Sequence, residues 1–261
     1  MMLLYKYIPE ESLKLFFDHD AISFKFTPVG HFNDPFETYG VSLASEDVDS
    51  LMHLTLRSKI NSELASLCLS ESPLEVLMWS HYAQHHRGYV VGIDTDLAGF
   101  NDDSLCLITA NEGNIDYREE REKTRIIVSE KDFKNKEIIK KILLRKSLHW
   151  KYEKEVRVVI ESKKLLPIEN EEEKFYLYKA PGINSIKEIY IGINNEEYEF
   201  TVTENENLRN AIVENNIKIQ KCNFKKGTWD LDSMDYDMKD ITNIEFNILA
   251  GVISAFEKNE V

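Results

Sequence analysis

The run Trp150-Lys151-Tyr152-Glu153-Lys154-Glu155-Val156-Arg157-Val158-Val159-Ile160 reads as a strong β-strand from Val156 to Ile160. Alternate residues of a strand share a face, so Val156, Val158 and Ile160 are expected to point into a core. Glu153, Glu155 and Arg157 then share the opposite face. At a rise of roughly 3.3 Å per residue, two carboxylates two residues apart stand about 6–7 Å from one another. With a guanidinium beside them they suit a polyhydroxyl or cationic ligand. Lining a cleft, they would repel, raising one carboxyl pKa while Arg157 opposes the rise. The plainer alternative is a solvent-facing ladder of charges paired across strands.

Outward from this run, strands and helices alternate irregularly. Leu3–Ile8 is a strand, and Pro9-Glu10-Glu11 opens a helix with an apolar stripe of Leu13, Phe16 and Phe17. Ile22–Phe26 alternates as a half-buried strand does, and a turn-rich segment, Thr27–Glu37, follows. Ser45–Ser62 reads as helix, Leu64–Leu69 as a buried strand, Pro73–His86 as helix with Gly88 as its stop, and Tyr89–Ile93 as a central strand. Asn111–Lys146 is highly charged, holds a helix over Lys131–Arg145 and reads as a peripheral excursion; Glu169–Glu173 is an acidic loop. Phe175–Lys179, Ile186–Ile191 and Ile217–Cys222 are further strands, with a helix near Glu196–Asn215. The pattern predicts an α+β fold: a mixed, mainly antiparallel sheet flanked by helices, in a single domain over 1–261 with the excursion near 111–147. No Gly-rich phosphate loop is present.

At 261 residues, 43% hydrophobic and 30% charged, the chain has the composition of a globular protein. Its net charge of −14 argues against bulk nucleic-acid or anionic-membrane binding. Cys68, Cys106 and Cys222 have no paired spacing, as expected of buried thiols in a reducing, cytoplasmic setting. Met1–Pro9 is too short and polar for a signal peptide. Ile241–Phe256 carries Asn243, Glu245 and Asn247 and reads as a packing helix, not a membrane span.

Two further clusters carry chemistry. In Trp79-Ser80-His81-Tyr82-Ala83-Gln84-His85-His86-Arg87-Gly88, His81 and His85 have the helical spacing of a metal clamp. Position 82 is Tyr, where a metalloprotease helix needs Glu, and no metal is expected. Trp79, Tyr82 and His86 form another stripe, able to stack on a flat ring, unless Trp79 and Tyr82 are core. His31-Phe32-Asn33-Asp34-Pro35-Phe36-Glu37 is a fixed turn that displays Asn33, Asp34 and Glu37, either as a binding loop or as turn chemistry alone.

With Leu4-Tyr5-Lys6-Tyr7, Cys68-Leu69-Ser70-Glu71 and Ile186–Gly192, these segments resemble, in order, the bacterial domain-of-unknown-function family numbered 2971. In that pattern the second histidine falls at His86. A more distant similarity is to ADP-ribosyltransferases, which use a split mixed sheet and a late-strand glutamate, often with an acid two residues before it. The similarity implies NAD as substrate, with Glu155 on the nicotinamide ribose and its oxocarbenium-like transition state, and Glu153 orienting or activating the acceptor. It has Tyr82 or Trp79 stacking on nicotinamide, and Arg87 or Arg157 facing the pyrophosphate. The transferases carry Arg or His on the first strand, where this chain has Lys6, and the Ser-Thr-Ser pattern of one branch is missing. Three readings stand open: an NAD-cleaving transferase, as a toxin or phage-defence effector acting on an unknown acceptor; a non-catalytic ligand-sensing or protein-interaction module; and a metal-dependent nuclease or hydrolase using His81, His86 and the carboxylates.

Overall fold

The computed structural model describes residues 2–17, 22–39, 41–44, 50–127, 135–169, 174–198, 201–202 and 205–236. The expected helix over Ile241–Phe256 and most of the acidic loop lie outside them. The strands are β1 (Leu3–Ile8), β2 (Ile22–Pro28), β3 (Val41–Ala44), β4 (Leu64–Ser70), β5 (Tyr89–Asp94), β6 (Asp116–Arg118) and β7 (Glu122–Ile127). They continue as β8 (Arg145–Ser147), β9 (Glu155–Glu161), β10 (Leu166–Glu169), β11 (Lys174–Ala180), β12 (Ile186–Ile191), β13 (Lys218–Phe224) and β14 (Leu231–Asp235). The helices used below are α1 (Ser12–Phe16), α2 (Ser50–Glu63), α3 (Val76–Tyr82), α4 (Lys136–Leu143) and α5 (Glu206–Glu214).

The apolar run of β4 makes it the hub of a ten-stranded sheet, ordered β10-β11-β2-β4-β1-β5-β12-β13-β14 with β9 paired to β4. A strand has two hydrogen-bonding edges. β9 takes one along the whole length of β4, from Leu64↔Glu161 to Ser70↔Glu155. β1 and β2 therefore share the other edge: β2 meets β4 only at Ser66 and Ala65, and β1 only at Ser70. Between those contacts the sheet splits. Most pairings are antiparallel; β12–β13, β3–β7 and β6–β8 are parallel. The α+β class with a mixed, mainly antiparallel sheet is what the sequence pattern predicts.

The helices cover the sheet with periodic apolar faces. Asn205 caps α5 by accepting from the Leu208 N–H, and Leu208, Ala211 and Ile212 are buried. Asn135 caps α4 in the same way, and Ile139, Ile142 and Leu143 join Val29, Ile60, Leu64 and Val159 in a second core cluster. The charged excursion is thus anchored by its own apolar residues. Its helix is shorter than expected, because Arg145 already belongs to β8.

α3 also ends early. Expected to reach His86, it stops at Tyr82, and Gln84, His85 and His86 adopt left-handed φ values of 48°, 55° and 66°. This turn delivers Gly88 to a point where an added Cβ would lie 2.1 Å from the Ile8 carbonyl oxygen. Among the described residues no helix is long and apolar enough to cross a membrane.

Candidate functional site

The split in the sheet is a cavity of about 290 Å³. Tyr5, Lys6 and Tyr7 of β1 form one wall, and Cys68, Leu69 and Ser70 of β4 another. Phe32, Asn33 and Glu37 of the 31–37 turn, together with Tyr82 at the end of α3, stand around it. Glu153, Glu155, Arg157 and Lys146 close its floor. Where the two strands part, the Lys6 ammonium donates to the Cys68 carbonyl at 3.0 Å.

Arg157 organises the floor. Nη1 and Nη2 donate to the two Glu37 oxygens at 2.8 and 2.6 Å, and Nε and Nη2 donate to Glu155 at 2.7 and 3.1 Å. Nη1 also donates to the Leu143 carbonyl at 2.7 Å, so all five N–H groups are used. Lys146 Nζ donates to Glu153 at 2.5 Å and to Glu155 at 3.1 Å. The Tyr82 hydroxyl donates to the second Glu153 oxygen at 2.7 Å and accepts from Asn33 Nδ2 at 3.3 Å.

The charged face is therefore no solvent ladder: Arg157 is 1% exposed, Glu153 3% and Glu155 5%. Nor do the two glutamates share a strand face. Glu153 closes a 3-10 turn (Leu148–Glu153), and Lys154, left-handed at φ 44°, separates it from β9. Only Glu155 and Arg157 show the expected two-residue relation.

The two carboxyls have opposite electrostatics. Burial would raise Glu155, but the Arg157 guanidinium and the Lys146 ammonium together hold it well below the usual carboxylate range. Burial pushes Glu153 upward; Lys146 opposes this, the Glu155 charge adds to it, and the net direction is up. Burial lowers the Lys6 amine. Glu155 accepts three charge-assisted bonds, and Glu153 two, so Glu153 keeps more acceptor capacity for a ligand.

The structure brings together Lys6, Asn33, Glu37, Tyr82, Glu153, Glu155 and Arg157 from stretches distant in the chain. Other candidates lie elsewhere. Asp34 accepts from the Phe36 N–H at 2.9 Å and holds the turn. Trp79 is fully buried, with its indole donating to the Pro73 carbonyl and its ring in a T-shaped contact with Tyr7. His86 stacks on Trp79 and bonds Ser80 Oγ at 3.0 Å, while Arg87 and His81 are exposed. Because α3 ends at Tyr82, His81 and His85 are not one helical turn apart on a common face. Among the described residues no group of three His, Cys, Asp or Glu could hold a metal ion.

Four residues in or behind the pocket escape the sequence reading. Lys146 and Tyr117, whose hydroxyl accepts from the Glu155 N–H at 2.8 Å, sit in three-residue strands too short to show alternation. Tyr5 and Tyr7 had a visible signal, as aromatics flanking a lysine in a strand.

Residues 78–158 match the model of a family described as a protein of unknown function (DUF2971), in agreement with the resemblance read from the sequence. The matched stretch holds Tyr82, Lys146, Glu153, Glu155 and Arg157; Lys6, Asn33 and Glu37 precede it. No curated protein and no solved structure matches the chain, so no ADP-ribosyltransferase is among its matches.

Proposed function

We propose that this cavity binds a small polar ligand carrying a flat ring and hydroxyl groups, a nucleotide of the NAD class being the first to test. The observation that carries the reading is the meeting of five distant stretches around one hollow with aromatic walls and a pre-paired ionic floor. Tyr5, Tyr7, Phe32 and Tyr82 offer ring faces and edges. Lys6, Asn33 and Glu153 offer an amine, an amide and a carboxyl, polar groups that can orient a ligand between the aromatic walls. Glu37, Glu155 and Arg157 satisfy one another, which suits a rigid support better than a reacting group.

A second reading is catalytic, and Glu153 favours it. A carboxyl held above its ordinary pKa, bonded to a tyrosine hydroxyl beside a cavity, is suited to general acid–base work. In an NAD-cleaving transferase of the kind the sequence resembles, the working carboxylate would then be Glu153. The charge of Glu155 is offset by Arg157 and Lys146, leaving little to stabilise an oxocarbenium ion.

One titration separates the readings. The Trp150 ring lies 4.8 Å from Lys146 Nζ, so its emission should report on the pocket as NAD is added, while nicotinamide release is followed in parallel. Saturable binding without release fits the binding module. Release that falls about 100-fold or more in Glu153→Gln fits the enzyme. No saturable change at millimolar NAD removes this ligand class from both.

A further inference from the structure

β1 carries a lysine in phase with core residues. Strand alternation sets Lys6 on the same face as Leu4 and Ile8, which are 1% and 4% exposed and belong to the main core cluster. Lys6 itself keeps partial exposure, because its side chain enters the split between β1 and β4 and lines the cavity there. Nζ donates to the Cys68 carbonyl at 3.0 Å. Among the described residues no carboxylate forms an ion pair with it: Glu37, Glu153 and Glu155 are all engaged by Arg157 or Lys146. The cavity thus holds two lysines in opposite conditions. Burial would lower the pKa of both, but Glu155 and Glu153 hold Lys146 charged, whereas Lys6 is lowered. The Cys68 thiol of β4 and Glu155 of β9 oppose that lowering, Lys25 of β2 adds to it, and burial prevails.

We propose that Lys6 is a carbonyl-reactive lysine that forms an imine with a small aldehyde or ketone held in this cavity. A desolvated amine without an ion-pair partner can lose its proton and leave no carboxylate unpaired, which frees its lone pair for attack. The lone pair adds to the carbonyl carbon, forming the C–N bond as the C=O π pair moves to oxygen. Glu153 lines the same cavity, has a raised pKa and accepts from the Tyr82 hydroxyl, so it supplies the proton transfers. It protonates that oxygen and takes a proton from the nitrogen, giving the carbinolamine. In a second exchange it protonates the hydroxyl, which leaves as water while the nitrogen lone pair closes the C=N bond. The remaining N–H proton then returns to Glu153. Amine and carbonyl become imine and water, with no oxidant or reductant. The rings of Tyr5, Tyr7, Phe32 and Tyr82 suit a carbonyl attached to a flat ring.

The inference uses the cavity but not the nucleotide, since the carbonyl of NAD is an amide and forms no imine with a lysine. The test is reductive trapping of the full chain with benzaldehyde and sodium cyanoborohydride at neutral pH, followed by proteolysis and mass-spectrometric mapping of benzylated lysines. Lys6 is expected to label at least about tenfold faster than the exposed Lys151 and Lys154, at a rate that saturates in benzaldehyde. That rate should rise with pH and level off below the ordinary lysine value of about 10.4. It should fall about 100-fold in Glu153→Gln. Lys6→Arg, its folding checked by a melting curve, should lose this label and keep those on the other lysines; the wild-type map stands without any variant. A lysine that only satisfies the Cys68 carbonyl would label no faster than Lys151, or without saturation, and either result overturns the proposal. An arm with millimolar NAD separates the two readings. Protection of Lys6 means that the nucleotide occupies the same cavity, whereas trapping indifferent to NAD leaves the imine site standing and counts against the nucleotide.

Discussion

Arg157 spends all five N–H donors on Glu37, Glu155 and the Leu143 carbonyl while being almost fully buried. Removing one partner from such a network leaves the others as uncompensated charges in low dielectric. Arg157→Met is expected to destabilise the fold by roughly 3–5 kcal/mol, read from the urea midpoint. An unchanged midpoint means that Glu37 and Glu155 can be hydrated or protonated in place. The pH dependence has a definite sign. Glu155 is depressed in the folded state, so its contribution is present above the unfolded value of about 4.3 and is lost as pH falls below it toward the folded pKa. Glu153 runs the other way: its raised pKa favours the folded state on the acid side, and that contribution is lost as pH rises through the folded value. Urea midpoints of wild type and Glu155→Gln between pH 3 and 7 on the order of one unit apart should show a shallower acid loss in the variant. Parallel curves would show that Glu155 titrates normally.

At the scale of elements, β9 shows how a loop can be locked to a strand. The Arg157 N–H donates to the Gly113 carbonyl at 2.9 Å, and a Cβ on Gly113 would fall 2.0 Å from the Arg157 carbonyl oxygen. Backbone on both sides leaves nothing to yield. Gly113→Ala is predicted to lower stability by about 1–3 kcal/mol and to disturb the pocket floor with it, which thermal denaturation and the Trp150 emission can check together. The same scale explains what was legible beforehand. β1, β4, β5 and β9 announce themselves by alternation or by unbroken apolar runs, and the 33–37 turn by its Asn-Asp-Pro chemistry. The end of α3 does not, because its left-handed residues are Gln84, His85 and His86, whereas Gly or Asn normally marks such a turn. Reading the helix through to His86 set His85 one turn from His81 and placed His86 on the stripe of Trp79 and Tyr82. The displacement of Glu153 from β9 has the same origin in Lys154, a lysine with positive φ.

Over the whole molecule, the decisive feature is a pairing that no single segment encodes. β4 gives one edge to β9 and divides the other between β1 and β2, and the hollow lies where they part. Sequence periodicity reports which face of a strand is apolar, but not which strands compete for one edge. The carboxylates and Arg157 could therefore be named in advance, while Lys146 and Tyr117, brought in by the charged excursion, could not.

Everything functional depends on that hollow accepting a ligand between Lys6, Tyr82 and Glu153. Isothermal calorimetry of NAD against the wild type and Tyr82→Phe addresses it directly, because the lost hydroxyl is the link between Asn33 and Glu153. Saturable heat in the wild type, with affinity reduced about tenfold in Tyr82→Phe, is the expected result. No heat at millimolar NAD, or identical affinity in a folded Tyr82→Phe protein, contradicts it.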